Sequence, residues 1–204
     1  MKNDIYTLAH EIRNPLSVIK GYLEMLNENN IFKYKEIINS QINDSLNILN
    51  DYLEYNHIIL NKEELDLNIL LNDIKINLID YLKSKNVYLH MNLLDDEIYL
   101  IADYNKLKQV LNNIIKNSVE SNSKNINISY KIMFNKVTVI IKNDGYKIDN
   151  DALFKIGNYF TTKENGNGIG TTLIKKIINL HNGKIKYKNN KNKGVSVYIT
   201  LSLS

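Results

Sequence analysis

Leu8-Ala9-His10-Glu11-Ile12-Arg13-Asn14-Pro15-Leu16 is the stretch that decides how this chain begins. Apolar residues continue its spacing in both directions, at Ile5, Leu8, Ile12, Leu16, Ile19, Leu23 and Leu26, which is one stripe of an amphipathic helix. His10 falls off that stripe. Glu11 sits beside it, and Asn14 follows one helical turn later on the same face. Pro15 has no backbone donor and is expected to bend the helix just past the histidine. A lone surface histidine on a helix is ordinary, but this one has a carboxylate beside it to take the ring proton. It also has an amide within a turn to position water or phosphate. Together they read as a phosphoacceptor site.

Working outward, a polar break at Asn27-Glu28-Asn29-Asn30 separates this helix from a second stripe. That stripe runs through Ile38, Ile42, Leu46, Leu49 and Leu53, and less regularly through His57 and Leu60. Two helices joined by a short loop form an antiparallel hairpin. Its core is too small to stand alone, whereas two hairpins paired into a four-helix bundle bury both stripes, so a homodimer is expected.

Past residue 62 the period changes and helices alternate with strands. Helices are predicted over residues 67–85 and 104–123, the second capped by Asp103, with a short one over 149–156 and another over 170–180 that Gly183 ends. Strands are predicted over 87–93, 127–134, 136–142, 184–188 and 195–201, with a hairpin turn at Asn135. The fold class is α+β: a helical hairpin over residues 1–62, then helices on one face of a mixed sheet over 63–204.

Two blocks in the second part have the chemistry to load the histidine. Asn113 and Asn117 are four apart on one helix, which aims two amides into one cleft, and amide oxygens suit a hydrated Mg²⁺ bridging phosphates. Gly166, Gly168 and Gly170 stand just before a helix, where backbone N–H groups and the positive helix end favour a phosphate. Thr161, Thr162 and Lys163 add hydroxyls and a cation just upstream. His57, His90 and His181 have no partner pattern and are read as structural.

The 204 residues are 44% hydrophobic and 24% charged, a globular composition with a net charge of +4. The lysines are spread through helices and strands, slightly concentrated at residues 184–193, and are read as a solvated face. No nucleic-acid role is inferred. Disulfides and thiolate metal sites are excluded, because there is no cysteine. No apolar run approaches the ~20 residues that cross a bilayer, and the first residues lack the apolar stretch of a secretion signal. The expectation is a cytoplasmic protein without membrane insertion.

In their order and over essentially the whole length, these blocks resemble the dimerisation and catalytic core of two-component sensor histidine kinases. Residues 8–16 are similar to the family's H-box and 107–120 to its N-box. Phe160-Thr161-Thr162-Lys163 looks like the F-box and entry to the ATP lid, and 166–170 like the second glycine box. The resemblance implies His10 as phosphoacceptor, Glu11 as acid/base and Asn14 as a determinant of response-regulator dephosphorylation. Asn117 would be the Mg²⁺ ligand, with Asn113 and Lys116 lining the nucleotide cleft. It implies a Bergerat-type α/β sandwich ATPase domain, ATP as cofactor and a response-regulator receiver domain as partner. Only nine residues precede His10, so a signal is expected to arrive through a partner, through expression level or through an upstream segment.

One box departs from the pattern. Where the family has Asp-x-Gly-x-Gly, this chain reads Asn143-Asp144-Gly145-Tyr146-Lys147. An amide at 143 exchanges a charge-assisted bond to the adenine amino group for a neutral one, a loss of roughly 1 kcal/mol. Lys147 in place of glycine adds about 1 kcal/mol if the backbone there needs positive φ. Weakened nucleotide binding is expected. The alternative is a phosphotransfer or phosphatase module with a degenerate ATPase domain. A third reading, a serine kinase of the anti-sigma type, leaves the His10 block without a role.

Overall fold

The computed structural model describes residues 2–93, 96–154, 156–157 and 169–204; the side chains of 2–7, 10, 11, 51, 54 and 169 lie outside that description. Two compact units emerge, residues 1–58 with 156–173 and residues 59–155 with 174–204. The first unit holds both predicted helices, α1 (Lys2–Glu24) and α2 (Ile31–His57), packed as a hairpin. Leu26 and Leu60, assigned to the stripes, fall just outside the helices.

Asparagines hold the connecting loop. Asn30 Nδ2 donates to Met25 O at 2.9 Å, Asn27 N–H to Asn30 Oδ1 at 2.8 Å and Asn29 N–H to Asn27 Oδ1 at 3.0 Å. These local side-chain bonds are what asparagine offers a turn. Beyond the loop the rings of Tyr22 and Tyr34 meet edge to face at 4.8 Å, and Pro15 is buried within α1. The apolar stripes themselves stay half open: Leu16, Leu23, Leu46 and Leu53 are each 50–55% exposed.

In the second unit the chain runs β1 (Glu63–Asp66), α3 (Leu67–Ser84), β2 (Tyr88–Asn92), β3 (Tyr99–Ala102), α4 (Tyr104–Glu120), β4 (Asn125–Met133), β5 (Lys136–Asn143) and α5 (Asn150–Leu153). It closes with α6 (Ile169–Leu180), which starts in the first unit's segment, then β6 (Lys184–Asn189) and β7 (Val195–Ser202). Five strands make one mixed sheet in the order β2-β4-β5-β7-β6, with β2 parallel to β4 and every other pair antiparallel. One side of the sheet is core: Ile126, Ile128, Val137, Val139, Ile141, Val197 and Ile199 are buried, as are the apolar faces of α3 and α4.

β1 and β3 pair antiparallel as a separate ribbon, Leu65 opposite Leu100, and neither is predicted from sequence. Each has only four residues, and β1 carries three carboxylates around one buried leucine, so neither has enough alternation to read. The short helix is also shorter than the predicted 149–156.

Helix ends differ from expectation in an instructive way. Gly183 does not take the left-handed position that stops α6; Asn182 does, at φ 56. Gly183 N–H then reaches back to Ile178 O at 2.9 Å and Asn182 N–H to Asn179 O at 2.9 Å, the paired bonds of a Schellman cap. Gly183 is needed for a different reason, since a Cβ there would sit 2.7 Å from Leu201 Cδ2 and 2.8 Å from Thr200 O. Asn86 at φ 54 closes α3 and Asn122 at φ 61 closes α4 with the same pair of bonds. Asparagine tolerates this region because its short amide bonds locally.

Candidate functional site

His10 and Glu11 lie on α1 with helical backbone, while their side chains are outside the described residues. Thr161, Thr162, Lys163, Gly166 and Gly168 are outside the described residues altogether. Asn14 is exposed, and helix geometry sets it about 40° round and ~6 Å along from position 10. α1 continues through Pro15 with Ser17 Oγ–H donating to Arg13 O at 2.8 Å.

The second group of candidates gathers around α4 and the end of β5. Buried Asp103 caps α4: its Oδ1 accepts from Lys106 N–H at 3.0 Å and its Oδ2 from Asn61 N–H at 2.8 Å. Burial works against the charge on that carboxyl, but these two amides and the Lys106 cation outweigh it and hold it below the usual carboxylate range. His181 completes the cap, with Nε2 accepting from Asp103 N–H at 2.9 Å and Nδ1 2.8 Å from Ile177 O. Burial pushes that imidazole down, so it is a neutral structural ring.

Leu107, Val110, Leu111, Ile114, Ile115 and Ser118 are the buried side of α4. Asn113 and Asn117 lie together on one flank, both half-buried, as their spacing predicts. Lys116 is exposed and about 60° round the helix from Asn113, on the side opposite the core. The amide oxygens of the pair are hard, neutral donors of the kind a hydrated Mg²⁺ accepts, so the residues present fit that ion.

Asn143, 7% exposed, ends β5 opposite Ile126 and is the centre of a closed polar knot. Its Oδ1 accepts from Val195 N–H at 3.0 Å and Gly145 N–H at 3.2 Å, and its Nδ2 donates to Ser118 Oγ at 3.1 Å. Ser118 Oγ–H donates in turn to Ile114 O at 2.9 Å, which ties the knot to α4. The two backbone donors fix the amide's orientation, because a flipped amide would set NH₂ against N–H. As arranged, both acceptor sites of Oδ1 are already filled.

Asp144, the next residue, does not take over as the inward carboxylate. Its Oδ1 accepts from Lys124 N–H at 2.7 Å and Asn125 N–H at 2.9 Å, and its Oδ2 from Asn125 Nδ2 at 2.9 Å. It clamps the start of β4. Burial opposes its ionisation, but these donors and Lys193 hold the carboxyl down to about 2. Sequence reasoning missed this residue, although a carboxylate next to a turn glycine is a recognisable clamp.

Gly145 is glycine for a packing reason: a Cβ would stand 2.4 Å from both Ser121 O and Ser121 Oγ. Among the described residues, none lies within 4 Å of where a Cβ on Gly170, in the first turn of α6, would stand. The penalty expected at Lys147 does not arise, because its backbone is not among the positive-φ positions. Lys147 Nζ instead donates to Lys191 O at 2.9 Å.

A two-helix phosphoacceptor-type hairpin followed by a mixed-sheet ATPase-type fold defines the class, and comparison with known proteins agrees. Residues 5–59 match the His Kinase A (phospho-acceptor) domain, and residues 102–204 match the histidine kinase-, DNA gyrase B- and HSP90-like ATPase family. Over 97% of its length the chain is 28% identical to the sensor protein DegM of a Bacillus species, covering 53% of that protein. It is 29% identical to sporulation kinase B of Bacillus subtilis, with 96% of this chain against 48% of that one. Histidine kinase ThkA, solved in complex with the response regulator protein TrrA, is 29% identical with a TM-score of 0.82, over 96% of this chain and 60% of that one. Acinetobacter baumannii AdeS, at 21% identity and TM-score 0.77, shares the fold. The chain belongs to the sensor histidine kinase family and carries that family's catalytic core. It spans about half the length of the curated relatives it matches.

Proposed function

We propose that this chain is an ATP-dependent protein histidine kinase that phosphorylates its own His10 and passes the phosphoryl group to an aspartate of a response-regulator receiver domain. The observation that carries the reading is the succession of a phosphoacceptor-family hairpin and an ATPase-family domain along one chain. Residues 1–62 are the dimerisation and phosphotransfer hairpin and 63–204 the ATP-binding catalytic domain. The half-exposed leucines of both helices support a homodimer through that hairpin, since a second copy is the surface that buries them. Among the described residues no helix is long and apolar enough to cross a membrane. A cytoplasmic location for this core accords with that and with its nucleotide chemistry.

In this reading a neutral His10 ring nitrogen attacks the terminal phosphorus, the bond to the bridging oxygen breaks and the nucleoside diphosphate leaves. Glu11 takes the ring proton as the phosphoramidate forms. Asn14, one turn away, positions water for dephosphorylation of the response regulator, a separate hydrolytic role. Asn117 holds Mg²⁺, which when bound neutralises phosphate charge, and Asn113 and Lys116 line the nucleotide cleft. Gly145 and Asn143 close its base end, while Thr161, Thr162, Lys163, Gly166, Gly168 and Gly170 belong to the segment over the phosphates.

Incubation with Mg²⁺ and γ-labelled ATP tests this: acid-labile label on the protein, absent from His10→Gln, is the expected result. Labelling only by a phosphorylated receiver, with no dependence on nucleotide, would establish the phosphotransfer alternative instead. Asn143→Asp restores a charged acceptor beside Ser118 and is expected to tighten ADP binding about 5–10-fold by calorimetry, the worth of one charge-assisted bond. Unchanged affinity would place the base elsewhere.

A further inference from the structure

The register of the five-stranded sheet gathers lysines that are scattered in sequence. Lys131 on β4, Lys136 and Lys142 on β5, and Lys184, Lys186 and Lys188 on β6 all occupy the side of the sheet away from the core, and all are exposed. Lys142 and Lys188 flank Ser196 in one cross-strand row; Lys131 and Lys184 close another through Thr138 and Thr200. The hydroxyls of those two threonines meet at 2.9 Å, which fixes the side they face. No Asp or Glu occupies an outward position on any of the five strands. With six cations on this face and +4 for the whole chain, everything else sums to a negative charge.

Protection of a sheet edge explains only half of this. Lysines on β6, an edge strand, discourage pairing with another chain. β4 and β5 are interior strands, so Lys131, Lys136 and Lys142 guard no edge. Neighbouring strands are about 4.8 Å apart, which puts Lys142 and Lys188 roughly 10 Å from each other, within about a Debye length at ordinary salt. Among the described residues none of the six has an ion-pair partner. Among the described residues nothing neutralises this face, and an external anion would relieve its self-repulsion.

A second, separate feature borders it. Met133 and Phe134 are 70% and 93% exposed at the β4–β5 hairpin tip, where Met133 pairs with Lys136. Phe134 has φ 53, a left-handed conformation that glycine or asparagine would enter more easily. The fold thus displays an aromatic ring in water, on a backbone that resists it, next to a lysine.

We propose that this sheet face docks on an anionic lipid bilayer, with the lysines over the headgroups and Met133 and Phe134 in the interface. This is peripheral contact and requires no spanning segment. A broad open sheet side with point-like ammonium groups matches a plane of headgroups. The chain's single arginine, Arg13, lies on α1, so no cation here has the fork that reads individual phosphates. A soluble polyanion with its apolar groups turned inward, such as duplex DNA, gives the apolar tip nothing to enter.

The test uses the full chain and sedimentation with vesicles of phosphatidylcholine alone or with about 30% phosphatidylglycerol. Binding is expected only to the anionic vesicles at about 0.1 M salt and is expected to fall at least tenfold at about 0.5 M. Lys136→Gln/Lys142→Gln/Lys186→Gln should weaken it at least tenfold. Phe134→Gly, which relieves the backbone and should melt no lower than wild type, should weaken it severalfold. Equal binding to neutral vesicles, none to anionic ones, or undiminished binding by the triple variant overturns the proposal. So does displacement by duplex DNA at equal phosphate concentration together with wild-type behaviour of Phe134→Gly. Autophosphorylation in solution is a separate readout and does not depend on the outcome.

Discussion

The helical hairpin and the α/β unit bury their apolar residues to very different degrees. In α1 and α2, Ile48 at 2% exposure stands beside leucines that remain half in water. In the α/β unit, Leu70, Leu71, Ile74, Ile115, Ile126, Ile128 and Ile141 are at 0% exposure, and polar knots at Asn143, Asp144 and Asp103 tie the strand and helix ends. A two-helix layer has one contact surface and must leave its far side open; a sheet covered by helices closes a core within one chain. The hairpin is therefore built to be completed by another surface, and the α/β unit is built to be complete.

The largest effect that would sharpen this contrast lies in the hairpin. Leu46→Asp with Leu53→Asp should weaken self-association of the full chain by at least a hundredfold in sedimentation equilibrium, because each buried leucine contributes about 2–5 kcal/mol. The α/β unit should keep its melting transition. A dimer that survives, or a fragment lacking residues 1–62 that still dimerises by light scattering, would erase the distinction.

Within the α/β unit, Ile115→Ala opens a cavity in a fully buried side of α4 and should cost about 3 kcal/mol in denaturant unfolding without changing the oligomeric state. Asp144→Ala strands two backbone N–H groups and should cost about 2 kcal/mol at neutral pH. Its pH signature has a definite sign. The folded carboxyl titrates at about 2 against 3.8 ordinarily, so its contribution is full above about pH 4 and is lost as pH falls towards 2. The wild-type and variant stability curves should converge there. Parallel curves down to pH 2 would show that the clamp carries no charge-dependent stability.

The smallest effect is at Tyr187, whose hydroxyl is buried without a hydrogen-bond partner among the described residues and whose burial pushes its ionisation up. Tyr187→Phe removes an unsatisfied polar atom and should leave stability unchanged or raise it by up to about 1 kcal/mol. A loss would reveal a bond to a residue outside the described set.

The parts of the candidate site that could be read from sequence are those that local rules place. The i, i+4 asparagines of α4, the Asp103 cap and the His10 block depend on spacing within one helix, and periodicity reads that directly. What escaped has a common origin. The ribbon of β1 and β3 is stabilised by residues 33 to 39 positions apart in pairs such as Asp66 with Tyr99 and Glu63 with Ala102, and neither strand announces itself. Asn182 rather than Gly183 takes the left-handed cap, and Gly183 is required instead by its close approach to Leu201 and Thr200, a demand from a strand absent from the helix's own sequence. The cost anticipated at Lys147 vanished for the same kind of reason: a box pattern names a residue, but only the folded backbone sets its φ.

By itself, then, the sequence determined the two helices of the hairpin, the order of most helices and strands, and which residues are candidates to accept, coordinate and donate, because helix and strand periods act over a few neighbours. Tertiary structure alone decided that Asn143 spends both acceptor sites of its amide inside the protein and that Asp144 clamps a strand. It also decided that lysines from three distant strands share one face. Strand register and burial are set by contacts across the whole chain, and no local pattern encodes them.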